Sequence, residues 1–177
     1  MAVIDISTFK SKLVGGGSRP NLYQVIINFP AYANGDTELT SFLVKASKLP
    51  ASNIANIDVP YRGRMVGFAG DRSFDDWEIT VYNDTTMPIR NAFERWMSNI
   101  NKHNANTGLS NPRDYQLDMN VSQLDKSGTI TKTYVFRNAY PIKVGEIVLS
   151  YDQATAVEEF PTTIKYDYWQ DTTNGIE

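Results

Sequence analysis

Only one stretch of this chain carries a helical period. Ile89, Ala92, Phe93, Trp96 and Ile100 recur at steps of three and four, with Arg90, Asn91, Glu94, Arg95, Ser98 and Asn99 on the opposite side. Thr85 or Thr86 is placed to cap this segment, Pro88 suits a first turn, and residues 104–108 end it, which predicts a helix near 87–101. Elsewhere apolar residues come in short runs, many alternating with polar ones, stopped by Pro, Gly or Asn. One helix can bury its apolar stripe only against a sheet. The pattern therefore predicts a mainly β fold, an antiparallel sandwich or barrel of seven or eight strands with one flanking helix.

The first strong strand is predicted over residues 22–29, with Tyr23, Val25, Ile27 and Phe29 on one face, before Pro30 and Asn34-Gly35-Asp36 break it. Further strands are expected over 41–49, from near Ile54, and over 75–82, where Trp77, Ile79 and Val81 alternate with polar neighbours. Tyr115, Leu117, Met119 and Val121 alternate with Asp114, Gln116, Asp118, Asn120 and Ser122. A turn at Asp125-Lys126-Ser127-Gly128 then sends residues 129–137 back, giving a hairpin with one wet face. Two more strands are expected over 146–151 and 157–169, with Pro161 marking an edge or a bulge. Ten Tyr, eight Phe and three Trp favour the same class.

Residues 50–70 stand apart. Ile57, Val59, Tyr61, Met65, Val66 and Phe68 flank Arg62-Gly63-Arg64, which predicts a long hairpin with its tip near residues 61–64. That is too much apolar surface for a solvated loop, and a lone hairpin is marginal in water. It must pack on its own core or on a neighbour. The rest reads as one domain over 21–170, preceded by a flexible arm over 1–20 that ends in Gly15-Gly16-Gly17-Ser18-Arg19-Pro20, and followed by a mobile tail over 171–177.

A chain of 177 residues can bury a core without disulfides or a structural metal. With no Cys and a single His, His103, thiolate metal sites, thiol nucleophiles and His-based triads lose their materials. A net charge of −3 argues against a nucleic-acid-coating surface. No apolar run approaches membrane length and the first residues lack signal-peptide features, so a soluble protein without a membrane anchor is expected. Asp71, Asp75 and Asp76 are the densest carboxylates, but they read as ion-pair residues, and Gly15-Gly16-Gly17 lacks the strand and lysine of a phosphate loop. No catalytic, cofactor-binding or metal-binding residues are expected, and no cofactor. Charge is distributed unevenly: Lys45, Lys48, Arg62 and Arg64 face only Asp58 within 45–64, whereas 144–177 holds seven acidic residues and Lys165. Opposite patches on one chain suit head-to-tail self-association, or are two unrelated solvated surfaces.

Arg19-Pro20-Asn21-Leu22-Tyr23-Gln24-Val25, Ala69-Gly70-Asp71-Arg72-Ser73-Phe74-Asp75-Asp76-Trp77 and Asp167-Tyr168-Trp169 resemble, in order and spacing, the tail tube protein of contractile-tailed (myovirus-type) bacteriophages. Tyr140-Pro141, Val144-Gly145-Glu146 and Leu149-Ser150-Tyr151-Asp152 extend the likeness over nearly the whole chain, while residues 32–39 and 101–111 depart from it. The resemblance implies a fold shared with phage-like bacteriocin tubes and the haemolysin-coregulated protein of type VI secretion. It implies hexameric rings stacked head to tail as a hollow tube in a contractile sheath, passing DNA without sequence preference, with sheath and baseplate or tail-terminator proteins as partners. It places the protein in the virion tail after assembly in the host cytoplasm. On this reading Ile57, Val59, Tyr61, Arg62, Arg64, Met65, Val66, Phe68, Asp71 and Arg72 form the subunit or ring interface, and Asp114, Gln116, Asp118, Asn120 and Ser122 are candidates for the channel wall. A bacteriocin or injection-system tube, or a monomeric carbohydrate-binding β-sandwich, are the alternatives.

Overall fold

Strand β7 (Ile130–Val144) is long enough to serve both halves of the sheet in the computed structural model, which describes residues 5–173 and 175. Along its first part it pairs with β6 (Leu117–Leu124), and β6 pairs in turn with β1 (Tyr23–Ile26). On its other side it pairs first with β9 (Tyr168–Asp171) and then with β8 (Glu159–Lys165), beyond which lie β5 (Trp77–Tyr82) and β2 (Val44–Ser47). Every pairing is antiparallel. The sheet curls until its two edges meet through a side chain, the Tyr23 hydroxyl on β1 lying 3.1 Å from the Val44 carbonyl and donating to that of Lys45 (2.6 Å) on β2. Of the expected antiparallel sandwich or barrel with a helical flank, the barrel-like form is the one adopted.

The elbow of β7 is at Asn138, whose φ of 56° lies in the left-handed region that Asn tolerates better than most residues. Its side-chain amide donates to Asp167 (2.7 Å), in the break between β8 and β9, and its backbone N–H donates to Asp118 (3.2 Å). Inside the barrel Trp77 stacks on Phe136 with ring centroids 4.2 Å apart. The helix α3 (Pro88–Ile100) closes one flank, burying Ile89, Ala92, Phe93 and Trp96, with Phe93 and Trp96 edge-on to Phe29. Both core indole N–H groups are satisfied, Trp77 by the Lys48 carbonyl (3.0 Å) and Trp96 by that of Tyr115 (2.9 Å).

Several local expectations fail for identifiable reasons. Residues 41–49 are not one strand, because Asp36 accepts from the Leu39 N–H (2.9 Å) and caps a short helix α2 (Thr37–Leu43) before β2 begins. The first helical residue of α3 follows Met87, in left-handed geometry (φ 53°); the Thr85 and Thr86 side chains do not cap it, and the Thr86 N–H is instead bound by Asp84 (2.6 Å). No strand forms over 146–151: β7 runs on to Val144, and the Gly145 N–H donating to Pro161 (2.7 Å) follows its last ladder pair. Pro161 sits inside β8, yet its missing N–H shares the side of its carbonyl, which faces the end of β7, so the β5 pairing is undisturbed. The expected strand over 157–169 divides into β8 and β9, and Asp171, expected in the tail, belongs to β9. The arm contains a helix α1 (Ile6–Lys12) that was not anticipated. Residues 1–4 of the arm and 174, 176 and 177 of the tail lie outside the described residues.

Candidate assembly surface

Strands β3 (Asn53–Tyr61) and β4 (Arg64–Ser73) form a two-stranded ribbon that, among the described residues, pairs with no other strand. Arg62 (φ 47°) and Gly63 (φ 82°) make its turn, the two positive φ values being those of the hairpin turn whose twist matches the flanking strands. Register sorts its side chains. Ile57 lies opposite Phe68, Val59 opposite Val66 and Tyr61 opposite Arg64, and directly opposed residues share a face. The other face carries the pairs Asn56 and Ala69, Asp58 and Gly67, Pro60 and Met65. The ribbon is thus amphipathic, and Met65 stands on the opposite face from the other predicted apolar contacts. Its own barrel does not cover it: Phe68 is 56% and Ile57 52% exposed. Arg62 extends over the Tyr61 ring (5.4 Å) at the tip.

At the base of the ribbon Arg72 donates to Ser52 (3.2 Å) and Asn53 to Asp75 (3.1 Å), while Trp169 of β9 donates to the Ala51 carbonyl (3.1 Å). Asp76 pairs with Lys165 (2.8 Å), Asp75 accepts from Asn53, and Asp71 lies exposed on β4, so the three carboxylates have different hydrogen-bonding partners. Asp75 and Asp76 do act together on Tyr166. Burial first, and then these two carboxylates, push its hydroxyl up to about 12.

The predicted channel-wall residues are only partly on one face. Asp114 lies in a 3-10 turn (Pro112–Asp114) and Gln116 precedes β6, because the strand starts at Leu117. Ser122 is buried and hydrogen-bonded to Thr133 (2.8 Å), so it is not a wet position in the subunit. Asp118 is bound by Arg137 and by the Asn138 N–H, which makes it a structural group. Asn120 remains, half-buried, and by register it shares its face with Gln24 on β1, Thr133 and Val135 on β7 and Gln170 on β9. Arg137, which also donates to Gln170 (2.7 Å), is the cation of this face and is neutralised by Asp118.

The acidic C-terminal region is less free than its composition suggests. Glu159 is paired with Lys45, Asp171 is buried against Lys132 (3.0 Å), and Asp167 is bound by Asn138. Glu146, Asp152 and Glu158 are left as the acidic groups of the 145–158 loop. Among the described residues no cluster of three or more His, Cys, Asp or Glu is placed to hold a metal, and no helix is long and apolar enough to cross a membrane.

The overall fold is shared with chains found in contractile injection machines. A chain of the anti-feeding prophage baseplate aligns with a TM-score of 0.61 over 88% of this chain and 94% of its own length, at 10% identity. A chain of an extracellular contractile injection system sheath–tube complex (PVC) gives 0.58 over 96% and 99%, at 12% identity. The sequence itself carries the assignment further: the model of the phage tail tube protein family matches residues 18–172, and the chain belongs to that family. It is 34% identical to the tail tube protein gp19 of Enterobacteria phage T4, over 88% of this chain and 93% of the relative. Its identity to the tail tube protein of Serratia phage KSP90 is 29%, over 86% and 87%.

Proposed function

We propose that this tail tube protein forms hexameric rings stacked head to tail into a hollow tube, held inside a contractile sheath, through which DNA passes during host-envelope penetration. The observation that carries the proposal is the amphipathic ribbon. Burying large apolar side chains is worth roughly 1.5–3 kcal/mol each, and Ile57, Val59, Val66 and Phe68 are left about half exposed in the subunit. A neighbouring subunit supplies the cover. Arg62 and Arg64 at the tip set register against acidic groups of that neighbour, and Asp71 and Arg72 hold the ribbon's root at the contact. The near-neutral face around Asn120 lines the channel, since clustered cations would bind phosphates and hold the DNA in place. Sheath, baseplate and terminator proteins complete the assembly, built in the host cytoplasm, and the role is mechanical, without catalysis. Negative-stain electron microscopy of the purified protein tests this: tubes of stacked six-fold rings are expected, and a protein that stays monomeric at high concentration overturns it.

A further inference from the structure

The ribbon reaches the barrel through two short connections, residues 48–52 after β2 and residues 74–76 before β5. Among the described residues no strand ladder joins it to the barrel, so its direction is set by what holds those connections. It is also a lever. The ten residues of β4, at roughly 3.4 Å each, extend about 30 Å, and a tilt of about 10° at the root moves the tip by about 5 Å, a full spacing between paired strands. A contact that depends on register is lost by such a swing.

The inner ends of both connections are tied to the barrel wall, Lys48 through its carbonyl to the Trp77 indole (3.0 Å) and Asp76 through its ion pair with Lys165 (2.8 Å). Further out the root is not packed solid: a cavity of about 140 Å³ lies there, lined by Leu49, Pro50 and Ala51 on one connection and by Asp75 on the other. One side chain meets both outer ends. Trp169 on β9 donates its indole N–H to the Ala51 carbonyl (3.1 Å), just before β3 begins, and its ring lies edge-on to Phe74 (centroids 6.4 Å apart), just after β4 ends. Trp169 is itself braced, since register sets it opposite Phe136 of β7 and Tyr134 meets its ring edge-on at 5.2 Å. Phe74 is backed by Tyr166 (6.1 Å), which lies edge-on to Phe136 (4.8 Å). The bonds from Arg72 to Ser52 and from Asn53 to Asp75 join one leg of the ribbon to the other, and leave the pair free to pivot together.

We propose that Trp169 is the positioning residue of the ribbon: by holding Ala51 and Phe74 at once, it fixes the angle at which the ribbon meets a neighbouring subunit. This rests on the reading of the ribbon as an assembly element and adds the residue that aims it. Indole suits the place because one rigid group presents both an N–H and a large apolar ring. A phenyl ring keeps the second and loses the first.

The chain has no Cys, so spin labels can be placed at chosen sites. Arg62→Cys at the tip and Lys126→Cys in the turn before β7 report the ribbon's direction by double electron-electron resonance on dilute, unassembled protein. Trp169→Phe is expected to broaden that distance distribution at least twofold and, without the labels, to raise the concentration needed for tube formation at least tenfold. Val25→Ala serves as the comparison: it opens a cavity on β1, which pairs with β6 and not with β9, and should lower Tm while the distribution stays narrow. An unchanged distribution in Trp169→Phe, or equal broadening in Val25→Ala, overturns the proposal. So does a broadened ribbon that still assembles at the parental concentration. Should Trp169→Phe fail to fold, Phe74→Leu takes its place, with broadening expected and an unchanged distribution overturning the assignment. The distance measurement needs no tubes, so failure of the parental protein to assemble overturns the tube reading alone.

Discussion

At the scale of single residues, two positions show how closely the interior is fitted. Gly35 sits in the break between β1 and α2, where a Cβ would lie 2.3 Å from the Phe29 ring. That ring is itself held by Phe93 and Trp96, at centroid distances of 5.1 and 5.9 Å, so it cannot step aside. Gly35→Ala is expected to destabilise the subunit by about 1–3 kcal/mol, the usual range for overpacking, read as a shift of the denaturation midpoint. Tyr166 offers a pH test. Its hydroxyl ordinarily ionises near 10.0, and in the folded protein only near 12, so folding favours the neutral form. The stabilisation is complete below pH 10.0 and is lost as pH rises towards about 12. Tyr166→Phe, lacking the ionisable group, should show a shallower fall in Tm across that window than the parent; identical alkaline profiles would remove Tyr166 as the cause.

At the scale of elements, the ribbon separates stability from assembly. Because β3 and β4 pair, among the described residues, only with each other, Ile57→Glu or Phe68→Glu should leave the subunit's Tm within a few degrees of the parent, as surface substitutions do, while preventing tube formation. Deleting residues 56–68 should act alike, giving a folded monomer. A large drop in Tm would mean that the ribbon packs on its own barrel. This element was legible in the sequence, tip and all, because Arg62-Gly63 supplies the turn and alternation supplies the strands. The face assignment was not: it needed the register that sends Met65 to the far side. Helix α3 was equally plain, since thirteen residues allow its period to repeat. Helix α2 and strand β2 merged into one false strand because neither exceeds seven residues, too few to tell a period of 3.6 from one of 2. The apolar run at 147–149 looked like a strand for a related reason: composition marks what must be covered, not what covers it.

At the scale of the whole molecule, charge and shape divide the work. Arg62 and Arg64 are exposed at the ribbon tip, and exposed pairs contribute only about 0–1 kcal/mol each and weaken with salt. Reversing both to Glu should slow tube growth or misalign rings without unfolding the subunit; unchanged growth rates at low salt would show that the tip meets no acidic partner. For the channel, lysine at Asn120 and at the exposed Gln24 is the appropriate test, because Asp118, Ser122 and Gln170 are engaged in internal bonds. Particles with normal tails and reduced infectivity are the expected result, and normal infectivity would place this face elsewhere. The ribbon also has a consequence for the ends of a tube. It projects from one side of the barrel only, so any stack built on it terminates in two unlike surfaces, one studded with waiting ribbons and the other with vacant sockets. Such a filament is polar, its elongation has a direction, and a stopper shaped for one end is useless at the other.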